Sequence, residues 1–270
     1  MIWLVQLVFD CRDPDPVMQF WGCALGYRND LIGLTPEAVR KFRAANPQFD
    51  GLGRIDDREL RRMPVYIQRV PEPKAGRNRV RLEISVSPGD LAAAAGELVR
   101  LGARAGAGAG DLLDPEGNEF CLVPAAAGGQ RRLRTIIFDA LDPGRLLGFW
   151  SAATGYPASG GRCDPPPGRV GFEDGCFVVG GRRYGHITGA GAVPADGLLF
   201  DLVPGMAFVP AGEPKQSKNR LHVDLSSTDI AADLERLRGL GATVLRWDDE
   251  HVLADPEGNE FCLSGQPPLA

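Results

Sequence analysis

Residues 114–122 read DPEGNEFCL, and residues 255–263 read DPEGNEFCL again. Nine identical residues 141 positions apart make the chain a duplication, and that settles its organisation before any local element is assigned. The likeness extends upstream. Asp13-Pro14 is followed by Phe20-Trp21 and Gly26-Tyr27, and Asp142-Pro143 by Phe149-Trp150 and Gly155-Tyr156. Leu101-Gly102-Ala103 recurs as Leu240-Gly241-Ala242. Two homologous halves follow, residues 1–124 and 134–264, joined by a linker over 125–133 made largely of small residues.

Each half has the same coarse pattern. Val5–Phe9 and Thr135–Phe138 are apolar runs of strand character, and Asp-Pro ends each of them, because proline has no N–H for a ladder and restrains the residue before it. Helical spacing follows: Phe20, Trp21 and Ala24 share a face, as do Leu147, Trp150 and Ala153. Val80–Val86 and Leu221–Leu225 alternate as strands and lead into helices that end at Gly102 and Gly241. Asp-Pro-Glu-Gly-Asn is a turn with glycine where positive φ is wanted, and Glu-Phe-Cys-Leu is a closing strand. The first half has an extra helix, with Thr35 as N-cap and Pro36 as first residue. The second has a Gly/Pro-rich loop over Gly160–Gly171 instead. Trp21 and Trp150 read as core, and Lys74 and Lys215 as solvated strand ends.

With 30 basic against 35 acidic residues, the chain lacks the positive excess that non-specific nucleic-acid binding needs. No apolar run reaches transmembrane length, and Asp10, Arg12 and Asp13 break the apolar start, which reads as a strand and not a signal peptide. Six cysteines without a CxxC pair read as buried free thiols, so a cytoplasmic protein is expected. There is no phosphate loop and no Gly-x-Ser-x-Gly elbow.

Strand, Asp-Pro, Phe-Trp helix, Leu-Gly-Tyr, Asn-Arg-Leu-His-Val-Asp, Leu-Gly-Ala and Asp-Pro-Glu-Gly-Asn-Glu-Phe-Cys together resemble the glyoxalase/bleomycin-resistance/extradiol-dioxygenase superfamily, also called vicinal oxygen chelate. The resemblance covers both halves. It implies an α+β fold of tandem glyoxalase-like domains, each of two βαβββ modules forming a curved mixed sheet around a cleft. Such a fold does not decide chemistry.

Metal-binding members, as the resemblance implies, place ligands on the first and last strands of the modules. The matching positions are Gln6, Gln68, Arg81 and Cys121 in the first half, and Thr135, Val209, His222 and Cys262 in the second. Arginine cannot ligate, and two donors in the second half fall short of a stable site, so no metal and no cofactor are expected. The repeated cysteine reads as a structural thiol, or else as a soft ligand or redox residue. His222 and Asp224 share a strand face. They are either a hydrogen-bonded pair at the cleft wall or a general base oriented by a carboxylate. His251 is expected to face the cleft, and Arg81 to favour an anionic ligand. The expected function is binding of a small organic metabolite or drug, at positions drawn from Gln6, Gln68, Arg81, Cys121, Thr135, His251 and Cys262. The alternative is a lyase, isomerase or dioxygenase that uses His222 and Asp224. A monomer or a homodimer is expected, with no nucleic-acid or membrane partner.

Overall fold

The computed structural model describes residues 2–27, 35–47, 52–57, 62–107, 111–125, 131–159, 171–173, 176–179, 182–184, 186–187, 204–247 and 251–265. The first half opens with strand β1 (Ile2–Cys11), helices α1 (Pro14–Leu25) and α2 (Pro36–Ala45), and strands β2 (Leu52–Asp57) and β3 (Arg62–Arg69). Its second module holds β4 (Val80–Val86), α3 (Leu91–Arg100), β5 (Arg104–Ala105), β6 (Asp111–Leu113) and β7 (Glu119–Pro124). The second half begins with β8 (Arg132–Ala140), α4 (Pro143–Thr154), β9 (Ala158–Ser159), β10 (Gly171–Glu173), β11 (Cys176–Val179), β12 (Arg182–Tyr184), β13 (His186–Ile187) and β14 (Gly205–Pro210). It ends with β15 (Leu221–Ser227), α5 (Ile230–Gly239), β16 (Thr243–Trp247), β17 (His251–Ala254) and β18 (Glu260–Ser264). The Gly160–Gly171 loop expectation falls almost entirely outside the described residues.

Local chemistry sets the helix ends as the sequence pattern predicts. Asp13 accepts from the Asp15 amide ahead of Pro14, and Gly26 closes α1 at φ 68°. Asp142 and Gly155 (φ 72°) repeat this at α4. Thr35 caps the extra helix by accepting from the Ala38 amide.

The two halves interlock. One sheet has seven strands in the order β16-β17-β18-β15-β1-β3-β2, and another has eight in the order β5-β6-β7-β4-β8-β14-β13-β9. Each therefore joins a module of one half to a module of the other. The seams are the antiparallel pairs β1–β15 and β4–β8. The glyoxalase-like α+β class and the tandem organisation are as expected. The pairing is crosswise, so each possible cleft is walled by both halves.

The repeated motif explains how each half stays together while its sheets pair elsewhere. Asp114 is fully buried in the turn before β7. Its carboxylate accepts from the Trp21 indole N–H of α1 at 3.0 Å, from the Glu116 and Asn118 amides, and from the Asn118 side chain. Asp255 does the same for Trp150, Glu257 and Asn259. Glu116 reaches back to the Arg12 and Asp13 amides, and Glu257 to those of Leu141 and Asp142. Gly117 and Gly258 carry the positive φ that the turn requires, 89° and 83°. Trp21 and Trp150 are core, stacked, tilted or edge-on against Phe9, Phe20 and Phe120, and against Phe138, Phe149 and Phe261. The two lysines differ from expectation. Lys74 and Lys215 are only 13% and 16% exposed, because each is drawn onto the second glutamate of the motif, Glu119 at 3.1 Å and Glu260 at 2.6 Å. Across the halves, Asn78 accepts from the Arg220 amide and Asn219 from the Arg79 amide, a reciprocal clasp between repeat-equivalent residues.

Candidate functional site

Alternation sorts each sheet into two faces. On the seven-stranded sheet, Leu7, Phe9, Val65, Ile67, Val223, Leu225, Phe261 and Leu263 enter the main core. The opposite face carries Gln6 and Val8 on β1, His222 and Asp224 on β15, and Cys262 on β18. Gln6 pairs with Asp224, Val8 with His222, and Asp224 with Cys262. Gln6 Nε2 donates to Asp224 Oδ2 at 2.6 Å. His222 Nε2 lies 3.6 Å from Asp224 Oδ1, and the two side chains are 11% and 15% exposed. At one end of this face, Asp10 is buried and ion-paired with Lys218 at 2.6 Å.

On the eight-stranded sheet the repeat-equivalent residues are Thr135, Arg81, Glu83 and Cys121. Thr135 Oγ1 donates to Glu83 Oε1 at 3.1 Å, so the link from the first strand of one half to a carboxylate of the other recurs. The chemistry around it is different. Arg81 donates Nε and Nη2 to Asp139 Oδ1 at 3.3 and 3.2 Å, and Arg77 approaches the other oxygen of Asp139 at 3.4 Å. Arg134 reaches Glu83 at 3.4 Å. Beside them Ile137, Ala207 and Val209 form a small buried apolar cluster with Cys121 against it. Burial pushes the Glu83 carboxyl above its ordinary value, against the pull of Arg134, of the Thr135 hydrogen bond and of Arg81. Burial also pushes the Cys121 thiol up to about 12, with Glu83 adding to the effect.

The family model of the glyoxalase-like domain matches residues 6–123 and again residues 135–264. The chain belongs to the glyoxalase-like domain family. Its tandem glyoxalase-like fold is similar to that of glyoxalase I from Zea mays, at 15% identity and a TM-score of 0.59, covering 97% of this chain and 92% of that one. It is also similar to a putative dioxygenase from Bacillus subtilis, at 10% identity and a TM-score of 0.56, covering 98% of this chain and 85% of that one. At these identities the likeness is one of fold. None of the curated proteins matches the chain. Among the described residues no helix is long and apolar enough to cross a membrane.

Within this glyoxalase-like pair, the eight positions of the two halves regroup. Gln6, His222 and Cys262 come together on one sheet; Arg81, Cys121 and Thr135 come together on the other, with Val209 opposite Asp139, four residues along β8 from Thr135. Gln68 stands apart, because it pairs with Asp10, about 13 Å along β1 from Gln6 at ordinary strand spacing. His251 departs from expectation. It pairs with the core residue Leu263, which puts it on the core-facing side, where its ring stacks on Trp247 at 3.6 Å and 7°. A one-residue change of register moves a side chain to the other face, and sequence alone does not fix that register. Arg81 also departs from expectation: its anionic partner is the chain's own Asp139, supplied by the opposite half. Glu83, Asp139 and Lys218 were not singled out by the sequence. The 141-residue repeat is the signal that pairs Glu83 with Asp224.

The donor set bears on whether a divalent ion suits the glyoxalase-like site. The ligating atoms of His222, Asp224 and Cys262 all lie within 4.8 Å of one another. One imidazole, one carboxylate and one thiol are a set that fits a borderline ion such as zinc. Asp224, two residues along the strand from His222, adds a third donor to the two that the second half offers at the aligned positions. On the other sheet the equivalents are Arg81, Glu83 and Cys121, where the guanidinium excludes an ion.

Proposed function

We propose that the protein binds a small organic molecule on the His222 face of its seven-stranded sheet, as a binding protein of the glyoxalase/bleomycin-resistance type. One observation carries this proposal. His222, Asp224, Cys262 and, from the other half, Gln6 converge on one sheet face, while the equivalent positions on the second sheet are tied off by Arg81–Asp139, Arg134–Glu83 and Thr135–Glu83. Ligand sites combine an apolar surround with a few convergent polar groups, and the His222 face gathers such groups without an arginine among the equivalent positions. Calorimetric titration against a panel of metabolites and antibiotics tests it. Binding lost in His222→Ala and kept in Arg81→Leu is the expected result. No binding across the panel would remove the proposal.

A second possibility is a lyase, isomerase or dioxygenase centred on the same face, favoured by the 4.8 Å convergence of His222, Asp224 and Cys262. These three residues would hold the ion, which when bound would act as a Lewis acid toward a substrate oxygen. Gln6 would keep Asp224 oriented; in the metal-free form of this reading, His222 would instead take up and give back a proton at a ring nitrogen. Metal analysis of tag-free protein separates the two: a stoichiometric ion that disappears in Cys262→Ser favours the enzyme. Assay of the glyoxalase I reaction, the activity named for the Zea mays neighbour, is the first to run.

A further inference from the structure

The four tryptophans differ in what their indole N–H groups meet. Trp21 and Trp150 are buried, and each donates to a buried aspartate, at 3.0 and 3.2 Å. Trp247 is 46% exposed, its ring stacked on His251. Trp3 is 7% exposed, and its Nε1–H is buried without an acceptor.

Its place on the sheet gives that orphaned donor a meaning. Trp3 lies opposite Ser226 in the antiparallel seam, and directly opposed residues share a face. Ser226 alternates with Asp224 and His222 along β15, so Trp3 stands on the same face as the candidate site, beyond the register shift between Leu4 and Gln6. Its neighbours Ile2 and Leu4 belong to the main core, whereas Trp3 does not. The repeat-equivalent residue on the other sheet is Arg132, opposite Ser85, and it is exposed. A buried donor left without a partner is destabilising, a cost that an acceptor carried by a ligand removes.

We propose that Trp3 determines the specificity of this face, its indole N–H donating to a carbonyl oxygen of the bound molecule. The inference rests on the proposed ligand site and names the class of ligand it takes. Trp3 is level with Ser226, which is two residues from Asp224 and four from His222, about 7 and 13 Å at strand spacing. The ligand is therefore a compact molecule with a carbonyl at one end and a hydroxyl or amine, for Asp224 or His222, at the other. It is uncharged at the carbonyl end, because the indole brings no positive charge and Asp224 disfavours a second anion on the same face.

The test uses two probes of similar size, 4-hydroxyphenylacetamide and 4-ethylphenol, which share the phenol and differ in the carbonyl. Binding is followed by calorimetry and by the indole N–H resonances of the full chain. The expected result is a preference of about threefold to tenfold for the amide, the increment of one neutral hydrogen bond. The Trp3 resonance should move downfield while those of Trp21 and Trp150 stay. In Trp3→Phe, which keeps the apolar surface and drops the donor, the preference should vanish while the melting temperature stays within a few degrees. Equal affinity of the wild type for both probes, a preference that survives in Trp3→Phe, or no binding of either at millimolar concentration would each overturn the inference. His222→Ala separates the two claims: equal binding of both probes that this substitution abolishes leaves the ligand site standing and removes Trp3 from it.

Discussion

Gln6 donates its side-chain amide to the Asp224 carboxylate across 2.6 Å, although the two residues are 218 positions apart. Thr135 and Glu83 repeat the contact at 3.1 Å over 52 positions. The same link thus closes both seams between the halves, once from the first half to the second and once the other way. The polar centre of the candidate site is in this sense a joint product: neither half owns both Gln6 and Asp224.

Substitution at Gln6 should register in stability as well as in binding. Gln6→Ala removes a donor to a partly buried carboxylate, a loss of about 1–2 kcal/mol. Gln6→Glu sets a second carboxylate against Asp224, so one of the two must take up a proton or move away. Thermal unfolding at pH 7 is expected to rank wild type above Gln6→Ala and Gln6→Ala above Gln6→Glu. The Glu variant should recover part of its loss at pH 4.

The DPEGNE turn is expected to be the most sensitive polar element of each half. Asp114→Ala strips the acceptor from the Trp21 indole, two backbone amides and the Asn118 side chain, all buried or partly buried. A loss of about 3–5 kcal/mol follows for a hydrogen-bond network removed at one stroke. Trp21→Phe removes only one donor and should cost about 1–3 kcal/mol. Denaturant unfolding of Trp21→Phe, Trp150→Phe and the double variant checks whether the two clasps act separately. If they do, the double loss equals the sum of the single losses.

That turn also marks how far the sequence is legible. The duplication, the capped helices and the Phe-Trp core all follow from local pattern, because proline, glycine and apolar spacing act over a few residues. The exchange of modules between sheets does not follow. A strand such as β1 has the same alternation whether it pairs within its half or with β15. His222 and Asp224 could be placed on one face by counting, but their meeting with Gln6 depends on a seam that spans most of the chain. The face of His251 escapes the sequence for a related reason, since it depends on how β17 registers against β18. Lys74 and Lys215 looked solvated because their partners Glu119 and Glu260 lie 45 residues ahead.

Glu83 predicts a pH dependence with a definite sign. Burial raises its carboxyl above the unfolded-chain value, despite Arg134, Thr135 and Arg81. The folded state therefore holds this proton more tightly than the unfolded state. Its contribution to stability is fully present below the unfolded value and is lost as pH rises through the folded one. Glu83→Gln cannot titrate. The difference in melting temperature between Glu83→Gln and wild type should grow more positive from pH 4 to pH 7. A difference that stays flat or falls would mean that the paired cations hold Glu83 ionised throughout.

The cysteines give the last prediction. Cys11 is fully buried, and its thiol is pushed well above the ordinary range, by burial first and then by Glu116, Asp114, Asp10 and Asp13. Cys121 is pushed up to about 12 by burial and by Glu83. At pH 8 thiols pushed up in this way are overwhelmingly protonated, and alkylation requires the thiolate. Native protein treated with iodoacetamide should leave both cysteines unlabelled, as read by peptide mass spectrometry, while the unfolded chain labels both. Glu83→Gln removes one of the influences that raise Cys121 and leaves its burial, so labelling of Cys121 should quicken while Cys11 stays protected. Equal acceleration at both positions would indicate loosening of the fold, not the loss of one neighbouring charge.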